Sequence, residues 1–158
     1  MFRELTRKNK ALPAEECIAI LKTEKRGILS VNGDDGYPYG MPMNHWYEDL
    51  DGCIYFHCGQ GGHRLDALQR DGKVSFCVCE NGVPDGDSWA LKVRSVIVFG
   101  RMEIIDDAEM IADICYRLSR KFTDDEGYIQ KEIAAFAKKT LLLKLCPEHI
   151  SGKIVTES

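Results

Sequence analysis

The residues best placed to do chemistry lie between Tyr55 and Gly72: Tyr-Phe-His-Cys-Gly-Gln-Gly-Gly-His-Arg-Leu-Asp-Ala-Leu-Gln-Arg-Asp-Gly. Cys53 to Cys58 reads as a strand, three glycines break it, and a short helix follows with Leu65 and Leu68 on one side. Gly72 stands where a helix C-terminal glycine belongs. A glycine turn feeding a helix start leaves backbone N–H groups unpaired beside the positive end of the helix dipole, and together these attract anions. His63 and Arg64 add donors at that same end, where a cation otherwise faces the dipole unfavourably. A phosphate between them makes sense of the pair, and a flexible turn with a solvated Arg64 accounts for the spacing equally well. The motif is not a dinucleotide fingerprint, whose last glycine would fall on Arg64, nor a P-loop, which needs Gly-Lys-Ser/Thr.

The elements that must position this turn fit one domain spanning residues 1–158. Pro13 opens a helix to about Lys25, with Cys17, Ile18 and Leu21 inward. Gly27–Asn32 reads as a strand, and Gly33-Asp34-Asp35-Gly36 as a tight turn into a hairpin partner, Tyr37–Glu48. That partner carries Pro38 and Pro42, which cannot donate to a ladder and belong at an edge. An interrupted N–H row, with Asn44 and His45 unlike core residues, fits a ligand-facing strand somewhat better than a plain edge strand with surface polar residues. Lys73–Glu80 alternates cleanly, with Val74, Phe76 and Val78 on one face. Trp89–Ile105 is too long to stay straight and should kink at Gly100. Asp106 and Glu109 pair as a capping box before a helix striped by Met110, Ile111, Ile114, Cys115, Leu118 and Phe122. Thr123 and Glu126 cap a second helix, buried through Ile129, Ile133 and Phe136. A last strand, Thr140–Cys146, has leucines on both faces and should end at Pro147. The order predicts a mainly β fold with flanking helices, a six-stranded antiparallel sheet closing as a small barrel.

Composition narrows the classes. A net charge of −4 argues against nucleic acid as the main partner, and no apolar run approaches the roughly 20 residues that span a bilayer. Met1–Lys10 is charged with no apolar stretch after it, so a cytoplasmic location is expected. Seven cysteines, an odd number without C-x-x-C spacing, read as free thiols; Cys17, Cys77, Cys79 and Cys115 fall in apolar runs and should be buried. Cys53, His57, Cys58, Cys77 and Cys79 lie along strands rather than across a turn, so no metal is expected.

Four stretches together carry a resemblance: Asp35-Gly36-Tyr37-Pro38-Tyr39 with Pro42; Tyr55-Phe56-His57 with Gly62-His63-Arg64; Ser95 to Gly100; and Ile150-Ser151-Gly152-Lys153. The chain resembles the pyridoxamine 5'-phosphate oxidase-like split-barrel flavoproteins, and among them the Nim-type nitroimidazole-resistance proteins. The resemblance implies a split barrel and a homodimer with FMN in two sites at the subunit interface. It places the flavin along Met41, Pro42, Met43 and Asn44, its phosphate at Gly62, His63 and Arg64, and His57 and Cys58 beside it. Ser95 and Val96 would approach from the partner subunit. The family usually carries Arg or Lys where His63 stands, so FMN affinity could be lower, or FAD accommodated.

The expected function is that of a flavin-dependent oxidoreductase acting on a small planar organic compound, nitroaromatic or similar, with His57 as the catalytic residue. Trp46 or Trp89 is available to stack on such a substrate. The alternative is a flavin- or haem-binding carrier or sensor without turnover, because one fold hosts several functions.

Overall fold

The computed structural model describes residues 1–157. Its strands are β1 (Arg26–Asn32), β2 (Pro38–Asn44), β3 (Trp46–Tyr47), β4 (Ile54–Gly59), β5 (Lys73–Cys79), β6 (Val83–Pro84), β7 (Leu91–Ile105) and β8 (Thr140–Glu157). Its helices are α1 (Ala14–Thr23), α2 (His63–Arg70), α3 (Ala108–Arg120) and α4 (Glu126–Phe136). All pairing is antiparallel, in the order β2-β1-β5-β7-β8-β4-β3, with β6 on the side of β7. Six strands are long; the expected strand Tyr37–Glu48 breaks at His45 into β2 and the two-residue β3, and β6 is a two-residue addition.

The sheet curls until its two ends are joined by one residue. β2 is one edge and β3 the other, yet only His45 separates them in sequence. The barrel is therefore closed covalently at His45 and left without a ladder between β2 and β4, which is a split. Pro38 and Pro42 explain why β2 carries no further strand: a proline offers no N–H to one.

The spine is the β7–β8 pair, in register from Leu91↔Glu157 to Ile105↔Leu142. β8 does not stop at Pro147. Phe99 pairs with His149 and Gly100 with Pro147, so Glu148 is an extra residue that lets β8 bulge and continue. Gly100 is the kink predicted for β7, and a Cβ there would collide with the Cys146 carbonyl oxygen. Leu141, Leu143 and Leu145 face the barrel interior and Leu142 faces outward, which is why β8 carries leucines on both sides.

Inside the barrel lie Leu29, Val31, Phe56, Phe76, Val96 and Val98, with Ile20 and Leu21 of α1 and Leu65 and Leu68 of α2 packed against them. A second, outer cluster joins Tyr55, Ile111, Ile114 and Leu142, where α3 lies over β4 and β8. The α3 cap is one residue later than expected: Asp107, not Asp106, accepts from Met110 N at 2.8 Å. At α4, Asp125 accepts from Tyr128 N, while Thr123 supports the cap by accepting from Asp125 N. α2 ends on Asp71 rather than on a left-handed Gly72; Gly72 instead lies against β7, its carbonyl accepting from Met102 N. Met110, Phe122 and Phe136 are exposed, not part of the buried stripes. Cys79 is also exposed, and Cys77 and Cys115 are half-buried, so of the four thiols expected inside only Cys17 is fully covered.

His45 corrects the expectation that this residue faces a ligand. It is wholly buried, edge-on to Phe76, with Nε2 2.7 Å from the Leu21 carbonyl. A carbonyl only accepts, so Nε2 carries the proton, and Nδ1 is buried without a partner. Lys121 Nζ donates to the carbonyls of Glu24 at 2.6 Å and His45 at 3.0 Å, tying α3 to the crossing. Burial, then the Lys121 charge, lowers the His45 pKa to about 4. Its unfolded value is about 6.5, so between these limits the unfolded chain holds the extra proton. Stability is thus lost as pH falls from about 6.5 towards 4. By pH 5 this group alone removes about 2 kcal/mol, at about 1.4 kcal/mol per pKa unit. Urea unfolding at pH 7 and pH 5 should show that loss in the native chain and a flatter profile in His45→Gln; parallel profiles would contradict it.

Candidate functional site

The glycine turn rises from the end of β4. Gly62 has φ +108°, which L side chains rarely adopt, and a Cβ at Gly59, Gly61 or Gly62 would meet nothing within 4 Å. These glycines are therefore not packed by the protein; the space over the turn is open. Gly62 is the N-cap of α2 and has no side chain to offer, so no side-chain oxygen closes the first N–H groups of the helix.

Arg64, on the first turn of α2, reaches back into the split. Nη1 lies 2.8 Å from Met43 Sδ and 3.9 Å from Met41 Sδ, and Nε is buried with no partner. Cys58 completes the surroundings: burial pushes its thiol pKa up, opposed by the charge and hydrogen bond of Arg64. A guanidinium has five N–H donors suited to oxyanions, whereas thioether sulfur accepts weakly. Arg64 is thus surrounded by sulfur in a cleft with no carboxylate to pair with it among the described residues. An unpaired guanidinium beside uncapped helix N–H groups is an anion seat.

His63 occupies the rim differently. Its ring stacks on Tyr39, centroids 4.3 Å apart, and Nε2 lies 3.4 Å from Asp34 Oδ2, while Arg70 takes Asp34 Oδ1 at 2.7 Å. The hairpin turn Asp34–Gly36 and the glycine turn are therefore neighbours, joined by Asp34. Type and spacing give Asp34, Tyr39 and Arg70 no site role; the β1–β2 hairpin lying beside α2 brings Asp34 and Tyr39 to His63 and Arg70.

His57 sits on the opposite face of β4 from Cys58, as strand alternation requires. It opens into a cavity of about 260 Å³ beneath α3 and α4. The side chain has solvent access, yet burial first and the Arg64 charge second lower its pKa below 6.5. Both effects disfavour the charged imidazolium.

Met41 and Met43 point inward and meet Arg64 there, while the other expected residues are dispersed. Val96 is wholly buried in the core. Pro42 is exposed on the outer face of β2, and Asn44 Oδ1 accepts from Arg26 Nε at 3.0 Å. Ser95 is half-buried on β7 opposite Lys153. Arg94 is held by Glu80 at 2.6 Å and Glu16 at 3.3 Å. Trp46 Nε1 donates to Glu48, and Trp89 is 79% exposed. Among the described residues no group of three or more His, Cys, Asp or Glu is arranged to hold a metal, and no helix is long and apolar enough to cross a membrane. A hollow of about 610 Å³ between Lys25, Arg26, Cys77 and Phe122 is more open and contains none of these site residues.

Fold and site define a split β-barrel with an anion-seeking arginine at the split. The chain belongs to the pyridoxamine 5'-phosphate oxidase family, whose model matches residues 13–154. Solved structures share the fold. A candidate 5-nitroimidazole antibiotic resistance protein from Bacteroides thetaiotaomicron is 21% identical, with TM-score 0.75 over 93% of this chain and 87% of that one. A FAD-binding protein from Mesorhizobium loti is 22% identical, with TM-score 0.66 over 92% and 97%. The flavocytochrome Anf3 from Azotobacter vinelandii is 21% identical, with TM-score 0.75 over 97% and 72%. No curated protein sequence matches significantly.

If Arg64 is held for a ligand rather than for the fold, Arg64→Met should leave the ligand-free protein as stable as before or more so. Replacing a half-buried guanidinium, whose Nε is covered without a partner, by an apolar side chain of similar length removes the cost of covering that group. A melting temperature several degrees below that of the native chain would make Arg64 structural.

Proposed function

We propose that the chain binds FMN in the split and acts as an oxidoreductase toward a small planar organic acceptor, nitroaromatic or similar. The carrying observation is Arg64, with an orphaned buried Nε and only sulfur acceptors, placed beside the open turn and the uncapped start of α2. Those donors fit a phosphate monoester, and the family and the flavin-binding neighbours supply the rest of the cofactor. FMN presents a terminal phosphate directly. FAD remains the second cofactor reading, because the glycine turn is open and one neighbour is FAD-binding.

A bound flavin supplies electron or hydride transfer through its ring system. The protein's own part is to anchor and orient. Arg64 and the N–H groups of α2 hold the phosphate, and Asp34 with Tyr39 fixes His63 at the rim. His57 hydrogen-bonds the acceptor over the cavity. A carrier or sensor without turnover is the second reading, favoured by the burial and the Arg64 charge that disfavour the protonated form of His57.

A second copy of the chain should complete the site. The outer face of the sheet from β2 to β8 is uncovered by helices and carries the rows Pro42–Ile28–Cys77–Ile97–Ser151 and Gly40–Ser30–Ser75–Phe99–His149. Phe2 stacks on Phe99 and His149 at one end of it, and Ile28 is 46% exposed at the other, an apolar surface of the kind that pairs with itself about a twofold axis. Light scattering across a dilution series should give twice the chain mass; the monomer mass with flavin bound would refute the dimer.

Arg64→Ala should weaken FMN by roughly ten- to hundredfold, the worth of a charge-assisted hydrogen bond, and leave riboflavin nearly unchanged. Flavin fluorescence titration reads both, and equal losses would remove Arg64 from the phosphate. His57→Ala should keep the FMN content and slow re-oxidation of reduced flavin by an organic acceptor in stopped flow. Loss of flavin instead would make His57 a cofactor-binding or structural residue.

A further inference from the structure

The cavity beneath α3 and α4 has a chemistry of its own. β4 turns Tyr55 and His57 to its outer face. α3 covers Tyr55, but two residues on, the helices part and leave about 260 Å³ open over His57. Two of its walls are large aromatic rings left in water, Tyr128 at 55% and Phe136 at 56% exposure, both from α4. Periodicity predicted Phe136 inside, and its exposure is explained if its face is completed by a ligand rather than by the core. The apolar lining is interrupted at few points. The Thr140 hydroxyl donates to the Phe136 carbonyl at 2.8 Å and is satisfied. His57, Ser119 and the Glu132 carboxylate line the same cavity, and among the described residues their side chains make no hydrogen bond or ion pair. Unlike the split, whose free charge is the cation Arg64, this cavity offers an acceptor-rich set with one negative charge.

We propose that the cavity is a binding site for a small flat ring carrying an amidine, amine or ring N–H donor, held between Tyr128 and Phe136, hydrogen-bonded by His57 and Ser119, and paired through its donor to Glu132. Carboxylate-bearing rings of the same size are rejected there. Its assignment as the acceptor subsite rests on the flavin reading, whereas the binding itself does not.

Benzamidine and benzoate, equal in size and opposite in charge, are the probes, titrated by calorimetry into the purified protein with and without FMN. Benzamidine should bind about tenfold or more tighter than benzoate, the worth of one charge-assisted hydrogen bond. Glu132→Gln should erase that preference, and Ser119→Trp, which fills the cavity, should abolish benzamidine binding while FMN affinity holds. Should Ser119→Trp fail to fold, Phe136→Ala takes its place and should weaken benzamidine at least severalfold, the scale of a lost aromatic contact. Equal binding of the two probes, or benzamidine binding indifferent to both the Glu132 and the cavity variants, overturns the proposal. Selective benzamidine binding in a chain that takes no FMN leaves the cavity assigned and removes the flavin reading alone.

Discussion

The structure turns on the crossing at His45. The chain leaves one edge of the sheet at Asn44 and enters the opposite edge at Trp46, so one residue does the work that a hydrogen-bonded ladder does elsewhere in the barrel. That residue cannot move freely. Its ring is bonded to the Leu21 carbonyl of α1, its own carbonyl to Lys121 at the end of α3, and Phe76 closes over its edge. The closure is polar, buried and dependent on a neutral imidazole. Because it replaces a ladder, β2 and β4 stay apart beside it, and the side chains that face the gap need not be fully apolar. Met41, Met43, Cys58 and Arg64 meet there.

β4 presents side chains to two places because its period is two residues. Cys58 faces inward towards Arg64, and His57 faces outward to the cavity under α3 and α4. The glycine turn follows both at once, so the start of α2 and the cavity over His57 are close in the chain without sharing a wall. Arg64 also carries the cost of the arrangement. A guanidinium whose nearest neighbours are thioethers and a thiol gains little from them, because sulfur accepts hydrogen bonds weakly.

Much of this was legible because local rules act through local geometry. Period-two alternation placed Val74, Phe76 and Val78 inside, the length of the Trp89–Ile105 stretch required a kink and Gly100 supplied it, and the Pro38–Pro42 strand had to be an edge. The failures share a different cause. His45 looked like a ligand group because nothing in the sequence reveals that α1 presents a bare carbonyl to it. Pro147 looked like a strand end because a bulge at Glu148, matched to Gly100 on a strand some fifty residues earlier, is invisible locally. Phe136 follows the helical period of Ile129 and Ile133 yet stands over a cavity rather than a core. At the site, the turn and Arg64 could be read from type and spacing, while Asp34, Tyr39 and Glu132 required the hairpin and α4 to be in place.

The central claim is that the Arg64 guanidinium is held for the phosphate of a flavin mononucleotide. The Nε–H of an arginine gives its own proton–nitrogen NMR signal, and here that group has no partner in the ligand-free chain. On titration with FMN the Arg64 Nε–H signal should shift downfield and gain protection from exchange with water, as a group newly bonded to an oxyanion does. Riboflavin, which lacks the phosphate, should leave it in place. An Arg64 signal that ignores FMN while the flavin binds, or that moves equally with riboflavin, would contradict the account.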